Sequence, residues 1–445
     1  MALHLAPHTI SDYVQPRTNN VRFNSRDSTS FTTATETGFC VYQTAPLLLL
    51  SRRDALPGSV DLVVQLERSN ILFVVGGGST PLYPPNKVIV WDDKLAKPVA
   101  QLEFRERVRG IAARRDRLAV ALSSRVIVFA LGKGANGIWR EGSYETTSNP
   151  KGIACLVVIA TEKGATLLAF PGRQPGQIQL VKLPPFDPLR TPLPPPPSYD
   201  PTKTTFPTVN IIVAHTTNLS ALAITPNGDL LATTSNKGTL VRVWDTGTGS
   251  LVKELRRGTD YAEIFGLSLR RDGKAVAVSS DKGTVHAWDL TTSRQEKRKA
   301  DQEAYESSRQ RQLDLLKPYL PKYFSSEWSH SQFRLPAPAP SPSKLPNFAS
   351  LSPTDLGKSS ASASSVEDDV CMCEWIKIDR PLDSSRRPDS DGDEFQIIAV
   401  TRSGGWFRIK LDGSDTNKVA GLSKKATREC TLEEYRRFGG DEWEW

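Results

Sequence analysis

Short apolar runs, each bounded by Gly, Asp or Asn, recur along the whole chain. Seven segments share one plan: a polar turn, an apolar run, a small-residue turn and a second apolar run. They centre on residues 23–42, 70–91, 115–129, 153–170, 227–244, 272–288 and 395–411. Period-2 patterning matches the two faces of a strand. Runs this short, set between turn residues, predict strands. Seven small sheets can close a ring and leave only short, protected edges. The expected fold is all-β.

Two of these units resemble each other closely. The first holds Asn227-Gly228-Asp229, then Ser235-Asn236-Lys237-Gly238-Thr239, then Val243-Trp244-Asp245. The second holds Arg271-Asp272-Gly273, then Ser280-Asp281-Lys282-Gly283-Thr284, then Ala287-Trp288-Asp289. Gly228 and Gly273 are 45 residues apart, as are Thr239 and Thr284. A period near 40–45 ending in Trp-Asp is the spacing of four-stranded propeller blades. The prediction is therefore a seven-bladed β-propeller of WD-repeat type over 19–435, with a mobile stretch at 1–18 and a tail at 436–445. Three stretches read as disordered insertions: the proline-rich 183–207, the Pro/Ala/Ser-rich 336–365 and the polar 380–393. A fourth, 291–330, begins highly charged and then gathers Leu313, Leu315, Leu316, Tyr319, Leu320, Tyr323, Phe324 and Trp328 beside Lys317 and Lys322.

Composition narrows the partners. The formal charge is +8, which favours an anionic one: lipid, nucleic acid or an acidic protein. No apolar run reaches the ~18 residues of a membrane span, and the N-terminus lacks a charged-then-apolar leader pattern. A cytosolic, soluble protein is expected. The five cysteines are scattered, and only Cys371 and Cys373 are close, so they read as core residues and not as a zinc site. Gly76-Gly77-Gly78 is followed by no Gly-Lys-Ser/Thr, and neither a Gly-x-Ser-x-Gly nor a His-Glu-x-x-His motif occurs. No catalytic residue, metal site or cofactor is expected. Arg105, Arg107, Arg109, Arg114, Arg115 and Arg117 form a basic run whose simplest reading is a solvated face.

Between the two similar units stands Leu255-Arg256-Arg257-Gly258. With it, Pro84-Pro85-Asn86-Lys87-Val88-Ile89-Val90-Trp91-Asp92-Asp93 and Leu320-Pro321-Lys322-Tyr323-Phe324-Ser325-Ser326-Glu327-Trp328 are similar to stretches of the PROPPINs, phosphoinositide-binding WD-repeat propellers. The likeness is to the branch of the yeast "homologous with swollen vacuole" protein and human WIPI proteins three and four, and runs from about Asn20 to the C-terminus. It implies a non-enzymatic, monomeric effector of phosphatidylinositol 3-phosphate and 3,5-bisphosphate. The implied setting is autophagy: a peripheral membrane protein of the vacuole, endosome and preautophagosomal structure. It implies a first pocket of His215, Ser235, Gly238, Thr239, Arg242 and Arg256, and a second of Arg257, Ser280, Thr284 and His286. Lys282 adds charge in the same turn, as does Lys237. Strand alternation would send Arg256 and Arg257 to opposite faces, and each histidine would act as an imidazolium beside phosphate. The resemblance also implies a membrane-inserting loop at 291–330, carried by Leu313, Leu315, Leu316, Tyr319 and Leu320. Asn24 and Asp27 fall where some relatives contact an autophagy lipid-transfer protein, although the stretch here is one residue longer. The alternative class is a generic WD-repeat interaction scaffold, RNA-associated through its basic charge. The aromatic-and-basic sheet such binding needs is not visible in the sequence.

Overall fold

The computed structural model describes residues 17–24, 27–132, 137–160, 164–185, 208–291, 327–329, 331–336, 369–378, 394–411 and 428–439. They form seven sheets, one per blade, each built on four antiparallel strands. The innermost strands, in order, are Thr18–Phe23, Val60–Gln65, Gly110–Arg114, Cys155–Val158, Leu219–Ile224, Ile264–Leu269 and Cys371–Ile378. Each touches the innermost strand of the next blade, and the last touches the first. The ring is closed. The seven segments expected from the pattern contain the two middle strands of most blades, for example Leu230–Ser235 with Leu240–Asp245.

The period-2 pattern explains how blades stack. In the middle strand Ala275–Ser280 every residue is buried. Val276 and Val278 turn toward blade 5 and pack with Ala232, Val241, Val243 and Leu255. Ala275 and Ala277 turn the other way and pack with Cys371, Cys373, Trp375 and Ile397 of blade 7. One strand thus feeds two apolar layers, so its polar fraction is low. Cys371 and Cys373 lie in that second layer, as core residues.

The basic run of blade 3 is not wholly solvated. Arg117 is 1% exposed. Its guanidinium donates to both carboxylate oxygens of Glu141 at 2.8 and 2.9 Å, to Thr166 Oγ1 at 3.0 Å and to Pro184 O at 2.7 Å. It ties blade 3 to blade 4. Burying an arginine is tolerable here because a forked carboxylate and further acceptors satisfy it.

Two blades carry a fifth strand. Glu327–Trp328 pairs in parallel with the outer strand Leu251–Arg256 of blade 5, setting Arg256 opposite Trp328. Arg428–Glu429 pairs in parallel with the outer strand Ser331–Arg334 of blade 6. The segment expected as a membrane loop over 291–330 therefore ends as propeller edge. Leu313, Leu315, Leu316, Tyr319 and Leu320 lie outside the described residues.

Among the described residues, blades 1 and 7 share no strand. The fourth strand of blade 1 is Leu48–Arg53 and that of blade 7 is Thr431–Arg437. They are joined by packing: Val21, Phe31, Tyr42 and Leu47 against Ile376, Ile398, Trp406 and Phe438. Trp406 Nε1 also donates to Thr44 O at 3.0 Å. Buried Phe438 carries the propeller past residue 435, where the sequence suggested a tail, because its ring is needed to fill this joint.

Candidate functional site

Blades 5 and 6 repeat each other in space. Leu231 pairs with Trp244 and Val276 with Trp288. Counting from those pairs, Ser235 matches Ser280. The amides of Gly238 and Gly283 close equivalent turns onto Ser235 O (2.8 Å) and Ser280 O (3.1 Å). Both glycines are left-handed, at φ +64° and +63°, a region other residues enter at a cost. Gly238 has a second constraint: a Cβ there would meet Ala262 O at 1.9 Å.

Arg256 is the last residue of its strand, and Arg257 the first beyond it. Both are buried, at 5% and 7% exposure. Alternation along the strand stops at Arg256, so Arg257 is placed by its own bonds. Its amide donates to Thr239 O at 2.9 Å. Its Nε donates to Gly238 O at 2.6 Å, and its Nη2 to Asp260 O. Burial pulls its pKa below the usual guanidinium value, partly offset by Asp281 and Asp260. Arg257 thus stands on the blade 5 turn and faces the acid of the blade 6 turn. Arg256 Nη1 donates to Gly258 O at 3.4 Å.

His286 sits in the blade 6 group. Its Nε2 is 3.2 Å from Thr284 Oγ1 and its Nδ1 3.2 Å from Ser329 Oγ. Burial and then the charge of Arg257 push its pKa down to about 4. Ser280 Oγ is buried without a hydrogen-bond partner, an arrangement that costs stability. Lys282 Nζ pairs with Asp281 at 3.2 Å.

His215 sits in blade 5. Its Nε2 is 3.0 Å from Thr233 Oγ1, which also accepts from Trp244 Nε1 at 3.1 Å. Burial and then Arg242 lower its pKa to about 4. Arg242 donates from Nε to Glu254 at 2.8 Å and from Nη1 to Ala214 O. In the free protein both histidines are therefore neutral near pH 7, because burial and then a neighbouring arginine disfavour the charged ring. Ser329 was not anticipated; it is 43 residues from His286 and lies between the edge strand of blade 5 and the outer strand Ser331–Arg334 that pairs with the His286 strand.

Asn24 and Asp27 are buried in a turn that locks blade 1 to blade 2. Asn24 Nδ2 donates to Glu67 O at 2.6 Å and to Ser30 Oγ at 3.2 Å. Asp27 accepts from the amide and hydroxyl of Thr29, at 3.2 and 2.8 Å, and from Arg68 Nε. Burial would raise its pKa, but these donors win and it is lowered. Among the described residues, no group of three or more His, Cys, Asp and Glu side chains is placed to hold a metal ion.

A closed seven-bladed propeller with an arginine pair seated between two repeated blades defines a narrow class. The PROPPIN family model matches residues 198–330, which span that pair. SVP1-like protein 2 of Pichia angusta is 35% identical over 324 residues, covering 72% of this chain and 81% of that protein. SVP1-like protein 2 of Emericella nidulans is 36% identical over 292 residues, covering 64% of this chain and 82% of its own. The solved structure of Kluyveromyces lactis Hsv2 with complete loop 6CD superposes with a TM-score of 0.60 at 19% identity, covering 95% of this chain and 99% of that one. The chain belongs to the PROPPIN family.

Proposed function

We propose that the protein is a non-enzymatic effector that binds phosphatidylinositol 3-phosphate and 3,5-bisphosphate at the blade 5–blade 6 junction. The observation that carries this reading is Arg257, buried between Gly238 O of one turn and Asp281 and His286 of its repeat. A guanidinium fork beside Ser and Thr hydroxyls suits a phosphate. Ser280 Oγ, buried without a partner, would gain one. In this reading Ser235, Gly238, Thr239, Arg242, His215 and Arg256 serve one headgroup, and Arg257, Ser280, Lys282, Thr284 and His286 a second. Each histidine takes part as a neutral donor.

One headgroup binds weakly, and a second pocket multiplies affinity through effective concentration. We assign further apolar burial to Leu313, Leu315, Leu316, Tyr319 and Leu320, in the stretch between the described Thr291 and Glu327. The setting is a peripheral one on vacuole, endosome and preautophagosomal membranes. Relatives of this chain include Autophagy-related protein 18e of Arabidopsis thaliana, 31% identical over 310 residues. A protein partner is also proposed, an autophagy lipid-transfer protein. Asn24 and Asp27 would act on it by fixing the shape of the blade 1 turn, since both are occupied internally.

The test is vesicle sedimentation across the phosphoinositide panel, wild type beside Arg256→Ala/Arg257→Ala. The variant should lose most of its binding to 3-phosphorylated lipids and still fold, giving up about 1–3 kcal/mol of stability from the carbonyls that Arg257 leaves unmet. Equal sedimentation of the two proteins would end this reading.

A further inference from the structure

The outer strand of blade 4, Thr208–Val213, leaves one apolar face open. Successive residues of a strand face opposite ways. Ile212 turns inward and packs with Leu180, Leu222 and Trp244 between blades 4 and 5. The alternate residues Val209, Ile211 and Val213 are left to solvent, 42%, 61% and 70% exposed along the strand. The exposed face of the outer strand of blade 2 carries Lys97, Val99, Gln101 and Glu103 instead. One exposed apolar side chain is ordinary, but a row of three is not something the fold needs.

Exposure rises toward the pocket end of that strand. Val213 lies opposite Gln177, where the third strand of blade 4 begins, just as Arg256 lies opposite Leu240, where the third strand of blade 5 begins. The two strand ends therefore share one side of the ring. From Val213 the chain passes through Ala214, whose carbonyl takes Arg242 Nη1, to His215. On the other side of the blade 5 pocket stands Tyr261, 64% exposed. Its neighbours fix it there. Asp260 O accepts from Arg257 Nη2, and the Ala262 amide donates to Lys237 O at 3.3 Å. The acids of that link each lie by a cation: Glu263 pairs with Lys151 at 2.9 Å, and Asp260 is beside Arg257. Lys237 and Lys282 are exposed in the turns of blades 5 and 6. Val213, Tyr261 and Ile211 are the three most exposed large apolar side chains among the described residues, and all three flank the blade 5 pocket.

We infer that Ile211, Val213 and Tyr261 form an apolar rim that enters the headgroup layer of a phospholipid membrane, on either side of the blade 5 pocket. The inference rests on reading that pocket as a phosphoinositide site. A headgroup drawn into the pocket brings its bilayer against the surface around it. Apolar side chains on that surface then exchange water for the boundary of the acyl chains. A tyrosine suits this depth, with an apolar ring and a wet hydroxyl. Lysines beside such residues add attraction to anionic lipid. The propeller body itself would then hold lipid, independently of the 313–320 stretch.

The test uses the full chain in three forms: wild type, Arg256→Ala/Arg257→Ala and the triple variant Ile211→Thr/Val213→Thr/Tyr261→Ser. Threonine keeps the β-branch that suits a strand, and all three side chains are exposed, so the melting temperature should hold. Sedimentation is run with phosphatidylcholine vesicles containing phosphatidylinositol 3-phosphate. Calorimetry is run with water-soluble dibutanoyl phosphatidylinositol 3-phosphate. The triple variant should lose about tenfold in vesicle affinity and keep its affinity for the soluble lipid. A nitrobenzoxadiazole dye on Val213→Cys should brighten with those vesicles, and the same dye on Leu95→Cys, exposed in blade 2, should not. Wild-type sedimentation of the triple variant, or a silent Val213 dye, overturns the rim and leaves this face to a protein partner or a second copy of the chain. Loss of the soluble lipid by the triple variant overturns it too, since the three residues then shape the pocket. Each of these failures leaves the blade 5–6 reading standing, provided that Arg256→Ala/Arg257→Ala loses the soluble lipid. If Arg256→Ala/Arg257→Ala keeps the soluble lipid, that reading falls, and the rim stands as a membrane contact only where the triple variant still loses the vesicles.

Discussion

Lys151 Nζ donates to the carbonyl oxygen of Ile264 at 3.1 Å, although 113 residues separate them. Lys151 lies in the link before blade 4, and Ile264 opens the inner strand of blade 6, so the bond joins two blades that are not neighbours in the ring. The same ammonium pairs with Glu263 at 2.9 Å. It braces the far end of the 258–263 link that begins beside Arg257. Lys151→Met should therefore lower stability by only about 1 kcal/mol, as a partly exposed pair does. It should also weaken headgroup binding several-fold by loosening that link. Urea unfolding and calorimetry on the one variant check both.

The two arginines should not be equivalent. Arg257 holds the two turns together, whereas Arg256 ends a strand covered by Glu327–Trp328. Arg257→Ala should cost about 1–3 kcal/mol of stability from the unmet Gly238 and Asp260 carbonyls, besides its loss of lipid binding. Arg256→Ala should chiefly lose binding. Thermal melts beside vesicle sedimentation separate the effects.

Acid should weaken the fold through the same histidines. Unfolded histidine takes a proton near pH 6.5, but His215 and His286 resist it until about 4. Between those values the unfolded chain binds more protons, so stability falls as pH drops. Glu374 opposes this: desolvation raises its carboxyl to about 7, so it favours the folded state as pH drops from there to about 4.5. Two histidines against one carboxyl leave a net loss of roughly 1.4 kcal/mol per pH unit between about 6.5 and 4.5. His215→Gln/His286→Gln should reverse the sign of that slope in urea titrations. If lipid phosphate leaves both imidazoles neutral, affinity should stay flat from about pH 7.5 to 6.5; if it raises their pKa into that range, affinity should rise as pH falls, and calorimetry across the range decides which.

Changing Leu313, Leu315 and Leu316 to Asp tests the proposed insertion. Partial burial of three leucines is worth a few kcal/mol in all, so vesicle binding should fall by tens-fold or more. Affinity for a soluble headgroup should be unchanged. Wild-type sedimentation of this variant would remove the loop from the mechanism.

Arg117→Met should be the most damaging of these changes to the fold. It leaves Glu141 without its forked partner and the Pro184 carbonyl without a donor. A loss of about 3–5 kcal/mol is expected, read as a large drop in the urea midpoint, with lipid affinity retained at low temperature.

What could be read from the sequence follows from which strands are buried on both faces. Ala275–Ser280 and Leu230–Ser235 announce themselves because both sides must be apolar and the turns between need glycine. Outer strands do so weakly: Lys97–Glu103 exposes most of its residues, and only Ala100 and Leu102 turn to the core. Glu327–Trp328 has no local signature at all, since its place comes from pairing with Leu255 and Arg256. The lowered pKa of His215 and His286 in the free protein depends on desolvation, which spacing does not encode.

The joint between blades 1 and 7 has a mechanical consequence. Where a strand is shared across such a joint, tension on the two ends would load a ladder of hydrogen bonds in shear. Here tension between Thr18 and Phe438 falls on interlocked rings, chiefly Phe438 between Phe31 and Tyr42. Such a fastening parts over a short distance once a ring leaves its socket. Under load the circle should open first at this seam, with blades 2 to 6 still folded.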